Sequence, residues 1–222
     1  MLIYGIIKDM DDIFLNNNCI GIFGGTFNPV HKGHIEIANC AMEQYPDMEK
    51  MIIMPNNLPA YKNTWDIVDS EHRINMLLIA TRGYDDILIS DLEIKRGGTT
   101  YTYDTLMEIK QANPTIKIYF IVGDDSLFSI KKWHRYEDVL KNCIFLVACR
   151  NSNDEEIKKY ASELMDEIDG SDIRFIQSEP IEISSSELRR ELFNSLDNEM
   201  YLDDEVSEYI FDNMLYGCER ND

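Results

Sequence analysis

The chain is 222 residues long, enough for one α/β domain with a sizeable core, and it carries a formal charge of −20 with a pI near 4.5. Nucleic acid and anionic membranes need dense Lys and Arg on their partner, so this balance argues against both. Five cysteines without a Cys-x-x-Cys pair fit neither a disulfide framework nor a zinc site, and no apolar run nears the roughly 20 residues that span a bilayer.

These features read as a reduced, soluble protein of the cytoplasm. Residues 1–18 combine an apolar patch, Leu2 to Ile7, with Asp9, Asp11, Asp12 and three asparagines. The patch is too short for a signal peptide and is followed by acids rather than a cleavage site. This leader is expected to be either disordered or an added edge strand, with no assigned role. Residues 19–216 read as a single domain and 217–222 as a tail.

The domain is organised around Cys19 to His34, CIGIFGGTFNPVHKGH. Ile20 to Phe23 is a short apolar run of the kind found in a buried parallel strand. Gly24-Gly25 stops it and permits close backbone approach, Asn28-Pro29 sets a further turn, and a helix is expected from about Gly33. Free N–H groups at a helix start form an anion site, and His31, Lys32 and His34 stand at its mouth. Gly33 lets a ligand lie against the backbone there.

This stretch resembles the HxGH signature of the nucleotidyltransferase superfamily, in the GGTFDPxHxGH form of bacterial nicotinate-mononucleotide adenylyltransferases. Asn28 stands where aspartate is commoner, and asparagine forms turns equally well. The resemblance implies that Gly24, Gly25, Thr26, Phe27, Gly33 and His34 contact ATP. It also implies that His31 and His34 serve in catalysis.

Ile35 to Tyr45 continues the first helix, and Met51 to Met54 is a second buried strand. The breaker-rich loop Pro55 to Lys62 follows at the strand end where parallel sheets bind ligands. By resemblance to a PN-xxPxHK loop, Asn56 and Lys62 are candidate mononucleotide contacts, with Tyr61 in place of the usual histidine. Ser70 to Arg82 reads as a helix with Ile74, Leu77, Leu78 and Ala80 inward, and Ile87 to Ser90 as a strand. Thr99 to Leu106 places hydroxyls at a helix start, where they can cap it. The segment is similar to the family's SYTxDTL, which implies that Thr102 touches the pyridine while Tyr101 and Asp104 order the turn.

Lys117 to Val122 is a core strand ending at Gly123-Asp124-Asp125. The family pattern GADxL matches Gly123 and Asp125 as ATP contacts and has alanine where Asp124 stands; an extra acid there must turn away or help hold a metal. Trp133 reads as either a core plug or a stacking surface. The family's KW pair implies that its indole lines the nicotinate ring. Cys143 to Ala148 is a further strand, ending near Arg150, which joins the mononucleotide set. Ser152 to Glu155 fits a capping box, opening a helix to Ile168 whose acidic face is solvated. Arg174 to Ile176 is a last strand.

Ser184 and Glu187 form a second capping box, so Ser184, Ser185 and Ser186 open a helix whose first N–H groups can hold phosphate, with Arg189 and Arg190 close by. Ile183 to Arg190 resembles ISSTxIR, the superfamily's second signature, which implies that Ile183, Ser184, Ser185, Ser186 and Arg189 hold ATP and that Arg189 is catalytic. A final helix is read over 199–216, with Val206, Tyr209, Ile210 and Met214 inward. The few cations concentrate beside loops at Lys32, Lys62, Arg96, Arg150 and Arg189, which reconciles an acidic chain with polyphosphate.

The resemblance covers about residues 19–216. It implies an α/β fold, a Rossmann-like doubly wound parallel sheet with a C-terminal helical segment. It further implies an enzyme of NAD biosynthesis that joins ATP and nicotinate mononucleotide to give deamido-NAD and pyrophosphate, with Mg²⁺ bound through the ATP phosphates and no direct protein ligand. A homo-oligomer is compatible with the sequence but not required by it. The alternatives are a nicotinamide mononucleotide or phosphopantetheine adenylyltransferase, then a non-catalytic nucleotide-binding module. A dehydrogenase fold is a weaker alternative still, since GIFGGT is not GxGxxG and no acidic residue stands at the ribose position after the second strand.

Overall fold

The structure, a computed structural model, describes residues 10–60, 66–149, 155–177, 184–193 and 200–218. In chain order these form α1 (Met10–Asn16), β1 (Cys19–Gly25), α2 (Lys32–Gln44), β2 (Lys50–Pro55), β3 (Leu58–Pro59), α3 (Ser70–Ala80), β4 (Ile87–Ile89), α4 (Leu92–Arg96), β5 (Thr99–Thr100) and α5 (Thr102–Ala112). β6 (Lys117–Gly123), α6 (Asp124–Phe128), α7 (Tyr136–Asn142), β7 (Ile144–Ala148), α8 (Glu155–Glu167), β8 (Asp172–Ile176), α9 (Ser185–Phe193) and α10 (Asp204–Asp212) complete it.

Six strands pair in parallel in the order β4-β2-β1-β6-β7-β8, so the chain winds outward in one direction from β1 and in the other from β6. That reversal opens a crevice beyond the carboxyl ends of β1 and β6, the place where such sheets bind ligands. This is the Rossmann-like doubly wound sheet that the sequence implies.

Alternation along the strands divides the core. Phe23, Ile53, Ile121 and Leu146 face α2, α3, α9 and α10, whereas Ile20, Ile22, Phe120 and Phe145 face α1, α5, α7 and α8. Both faces are covered, which explains why the central strands read as unbroken apolar runs.

Four local expectations change. Residues 10–16 are neither disordered nor an edge strand but the helix α1, anchored by buried Phe14, whose carbonyl accepts from Asn113 Nδ2 at 2.8 Å. The patch Leu2 to Ile7 and the capping positions Ser152 to Asp154 lie outside the described residues. A short helix, α4, precedes the threonine cluster, and Thr99–Thr100 pairs with Leu58–Pro59 as a two-strand ladder. Finally, α10 stops at Asp212, and Met214, expected inward, is 74% exposed with φ +50°. The left-handed turn at that residue breaks the helical period that the sequence suggests.

Candidate functional site

The loop leaving β1 is held from below. Phe27 adopts φ +48° and the Asn28–Pro29 bond is cis. A Cβ on Gly25 would come within 2.9 Å of the Phe27 ring, so only glycine lets that ring fold back. Arg73 of α3 is buried beneath, with Nη1 donating to the Thr26 carbonyl at 3.0 Å and Nε to the Val68 carbonyl at 3.3 Å. Burial lowers its pKa from the ordinary arginine value.

Asn28 is the hub of this loop. It is 2% exposed; its Nδ2 donates to the Asp66 carbonyl at 2.6 Å, and its Oδ1 accepts from Val68 N at 3.2 Å and Tyr216 Oη at 3.0 Å. A buried amide that is both donor and acceptor needs such partners on both sides. Burial also raises the Tyr216 pKa, so the phenol stays a donor.

The two histidines sit where the loop enters α2. His31 is the N-cap, 8% exposed, and its backbone N–H donates to His34 Nδ1 at 3.2 Å. That bond makes Nδ1 an acceptor and leaves the neutral ring's proton on Nε2. The His31 and His34 ring centroids are 3.7 Å apart, and Phe27 meets His34 edge-on at 5.1 Å. Phe27 thus braces an imidazole seven residues further along the chain.

The start of α9 arrives at the same loop. Ser184 N donates to Glu187 Oε2 at 2.9 Å and Glu187 N to Ser184 Oγ at 3.2 Å, the reciprocal capping box expected from the sequence. Ser185 Oγ donates to the Pro29 carbonyl at 3.0 Å. Arg189 Nη1 donates to the Asn28 carbonyl at 2.7 Å and to the Ser185 carbonyl at 3.2 Å, and its Nη2 lies 3.4 Å from Ser186 Oγ. Two helix starts, a histidine pair and an arginine therefore converge on residues 28–34. All are groups that favour negative charge.

Beside this cluster, at the sheet reversal, opens a cavity of about 270 Å³. Gly24, Gly25 and Thr26 form its near wall, Asn56 and Pro59 one side, Thr100 to Thr102 another, and Asp125, Trp133 and His134 the far side. Asn56 is fixed by its N–H to the Gly25 carbonyl at 2.9 Å and by Nδ2 to Thr26 Oγ1 at 3.2 Å, while its buried Oδ1 has no partner. Such an orphan acceptor on a cavity wall awaits a donor. Trp133 packs edge-on against Phe120 at 6.5 Å and also lines the cavity, so it is plug and surface at once. Asp124 is turned aside, its carboxylate accepting from Asp125 N at 2.9 Å.

Among the expected residues, Gly24, Gly25, Thr26, Asn56, Thr102, Asp125 and Trp133 share this cavity. Phe27, His31, Gly33, His34, Ser184, Ser185, Ser186 and Arg189 gather instead at the Asn28 loop or at the two helix starts beside it. Gly123 ends β6, and a Cβ there would meet nothing within 4 Å. Lys62, Arg150 and Ile183, with Tyr61, lie outside the described residues.

Sequence reasoning missed Glu93, Tyr216 and His134. Glu93 is buried on the cavity wall, and loss of solvent pushes its carboxyl up to about 7. It stands in the five-residue run LEIKR, too short for a periodicity that would mark it as buried. His134, next to Trp133 and 5.0 Å from the Tyr101 ring, could have been found from the Trp-His pair. Among the described residues no three His, Cys, Asp or Glu side chains converge as metal ligands, and no helix is long and apolar enough to cross a membrane.

The sequence matches the cytidylyltransferase-like family over residues 22–191. It is 34% identical over 197 residues, 89% of this chain and 98% of the relative, to a protein of Lachnoclostridium phytofermentans named "Probable nicotinate-nucleotide adenylyltransferase". A protein of the same name from Caldicellulosiruptor saccharolyticus is 35% identical over 89% of this chain and 98% of its own. The fold is similar to that of the Plasmodium falciparum nicotinic acid mononucleotide adenylyltransferase complexed with NaAD, with a TM-score of 0.74 at 24% identity over 90% of this chain and 98% of that one.

Proposed function

The chain belongs to the cytidylyltransferase-like family, and from that premise we infer that it is a nicotinate-nucleotide adenylyltransferase of NAD biosynthesis. It joins ATP and nicotinate mononucleotide to give nicotinate adenine dinucleotide and pyrophosphate. The names of relatives that match nearly end to end support this reading. The observation that carries it is the clasp of Arg189 and Ser185 on the Asn28–Pro29 turn, which sets the start of α9 against the histidine-bearing start of α2.

The chemistry asks for alignment and charge neutralisation rather than a strong base, because a mononucleotide 5′-phosphate is already an anion. One of its oxygens attacks the α-phosphorus of ATP, the new O–Pα bond forms, and the bond to the β-phosphate oxygen breaks with its electron pair leaving on pyrophosphate. His34 donates through Nε2 to the α-phosphate and His31 to the bridging region, where charge grows in the transition state. Arg189 and the N–H groups at Ser184 to Ser186 hold the β- and γ-phosphates. Trp133, braced edge-on by Phe120, gives the apolar surface against which a heteroaromatic ring lies, with Asn56 and Thr102 as its polar contacts. Asp125 accepts from a ribose hydroxyl.

Mg²⁺ enters as the counter-ion of the ATP phosphates and offsets their charge in this acidic chain. The reaction belongs in the cytoplasm, where its nucleotides are found.

The test is pyrophosphate release from ATP and Mg²⁺ with nicotinate mononucleotide, nicotinamide mononucleotide or phosphopantetheine offered separately. Release with nicotinate mononucleotide at ten or more times the efficiency of the other two is expected, and omission of Mg²⁺ should stop it. Release with phosphopantetheine alone would move the chain to another branch of the superfamily, and no release would make it a nucleotide-binding module.

A further inference from the structure

Glu93 is a buried carboxyl that the mechanism above does not use. It lies on α4 at 5% exposure and forms part of the cavity wall that also carries Thr100, Tyr101, Thr102 and Trp133. Its Oε1 accepts from Thr105 Oγ1 at 2.7 Å, and that hydroxyl accepts from Arg96 Nη2 at 2.8 Å. Arg96 Nη1 in turn pairs with Glu108 Oε2 at 2.9 Å.

The charged and titratable groups around Glu93 are few. Arg96 comes from its own helix and Glu108 from α5, Tyr101 stands at the start of α5, and Asp125 and His134 lie on the cavity walls. β2, on which α4 rests, turns the apolar Ile52 and Met54 toward this side of the sheet. Burial raises the carboxyl, Glu108 adds to that, and Thr105 and Arg96 oppose it, leaving it near neutrality at about 7.

Resting on the adenylyltransferase reading, we propose that Glu93 is the specificity-determining residue for the pyridine substituent: protonated, it admits a ring carboxylate, and ionised, it selects a ring carboxamide. A ring carboxylate beside an ionised Glu93 sets two like charges together in a partly desolvated cavity, which is costly. Protonated Glu93 instead presents an O–H donor to that carboxylate. A carboxamide carries its own N–H donors, which an ionised Glu93 accepts. The preference between acid and amide is therefore linked to the proton on Glu93.

The two mononucleotides differ only at that substituent, and their phosphates titrate alike. The ratio of kcat/KM for nicotinate over nicotinamide mononucleotide, taken from about pH 6 to about pH 9, therefore isolates Glu93 from the phosphates. The ratio should fall by up to about tenfold per pH unit above neutrality, following the loss of the protonated form. In Glu93→Gln, a neutral side chain that can still accept from Thr105, the ratio should be flat. In His134→Asn, which removes the histidine on the cavity wall, the slope should persist.

A flat ratio in the parent protein, a slope that survives in Glu93→Gln, or one that vanishes in His134→Asn overturns the assignment. The parent and His134→Asn profiles decide the matter even where Glu93→Gln does not fold. Pyrophosphate released with a flat ratio overturns this inference alone, whereas no release from either mononucleotide overturns the function on which it rests.

Discussion

Arg189 Nη1 donates to the backbone carbonyl of Asn28 at 2.7 Å across 161 residues of sequence. This bond joins the two motifs by main chain on one side, so it fixes the position of the arginine without depending on the identity of residue 28. A guanidinium can hold that carbonyl and the Ser185 carbonyl with Nη1 while directing its remaining N–H groups toward phosphate; an ammonium is a point charge without such a fork.

Arg189→Ala should therefore lower kcat by about a hundred- to a thousandfold, the usual effect of losing a donor aimed at developing charge. Arg189→Lys should recover less than a tenth of the lost rate, because charge alone does not restore the geometry. Steady-state rates at saturating ATP and mononucleotide check both. Full recovery by lysine would show that only the charge matters.

The same magnitude applies to His34, but its signature differs. His34→Ala should lower kcat by about a hundred- to a thousandfold while the KM for ATP stays within about threefold, since the Nε2 donor acts on charge that exists only in the transition state. Initial rates over an ATP series separate the two constants. A variant within threefold of the parent in kcat would remove His34 from the chemistry.

What the sequence made legible was local. The Ser184–Glu187 box and the histidine-bearing helix start depend on residues within four of one another, and their structure follows the pattern closely. The places of β1, β2, β6 and β7 along the chain followed from buried apolar runs, whereas their order in the sheet did not. Contacts between distant segments were not legible: Tyr216 reaches Asn28 across 188 residues, and nothing in the C-terminal stretch marks its phenol as a support for the first loop. Glu93 was hidden for a related reason, since its burial is made by the packing of α4 against β2 and α5 and not by its neighbours in the chain. Met214 misled in the opposite sense, keeping helical spacing past the point where the backbone turns left-handed.

Tyr216 permits a stability prediction. Tyr216→Phe removes one donor to a buried amide oxygen that keeps Val68 N as its second partner, so the cost should be about 1 kcal/mol. For a chain of this size that corresponds to a fall in Tm of roughly 2–4 °C, measurable by calorimetry. Asn28→Ala loses every side-chain bond at the hub and leaves Tyr216 Oη and Val68 N without their acceptor, so its fall should be at least twice as large. Equal effects from the two variants would mean that the loop is held by its backbone alone.

Trp133 offers the sharpest separation of binding from chemistry. Its ring is braced on one side by Phe120 and by Phe145 at 6.2 Å, and it forms part of the cavity wall on the other. Stacking of a flat heteroaromatic ring on such an indole contributes roughly 1–3 kcal/mol. Trp133→Ala should then raise the KM for the mononucleotide by about tenfold or more and leave the KM for ATP within about threefold. The substitution also opens a void against Phe120 and Phe145, and a fall in Tm is expected with it. Trp133→Phe is the control, because phenylalanine keeps an aromatic face toward the cavity while filling part of that void. An intermediate mononucleotide KM with a partly restored Tm would show both roles; a mononucleotide KM unchanged in Trp133→Ala would return the indole to the core alone.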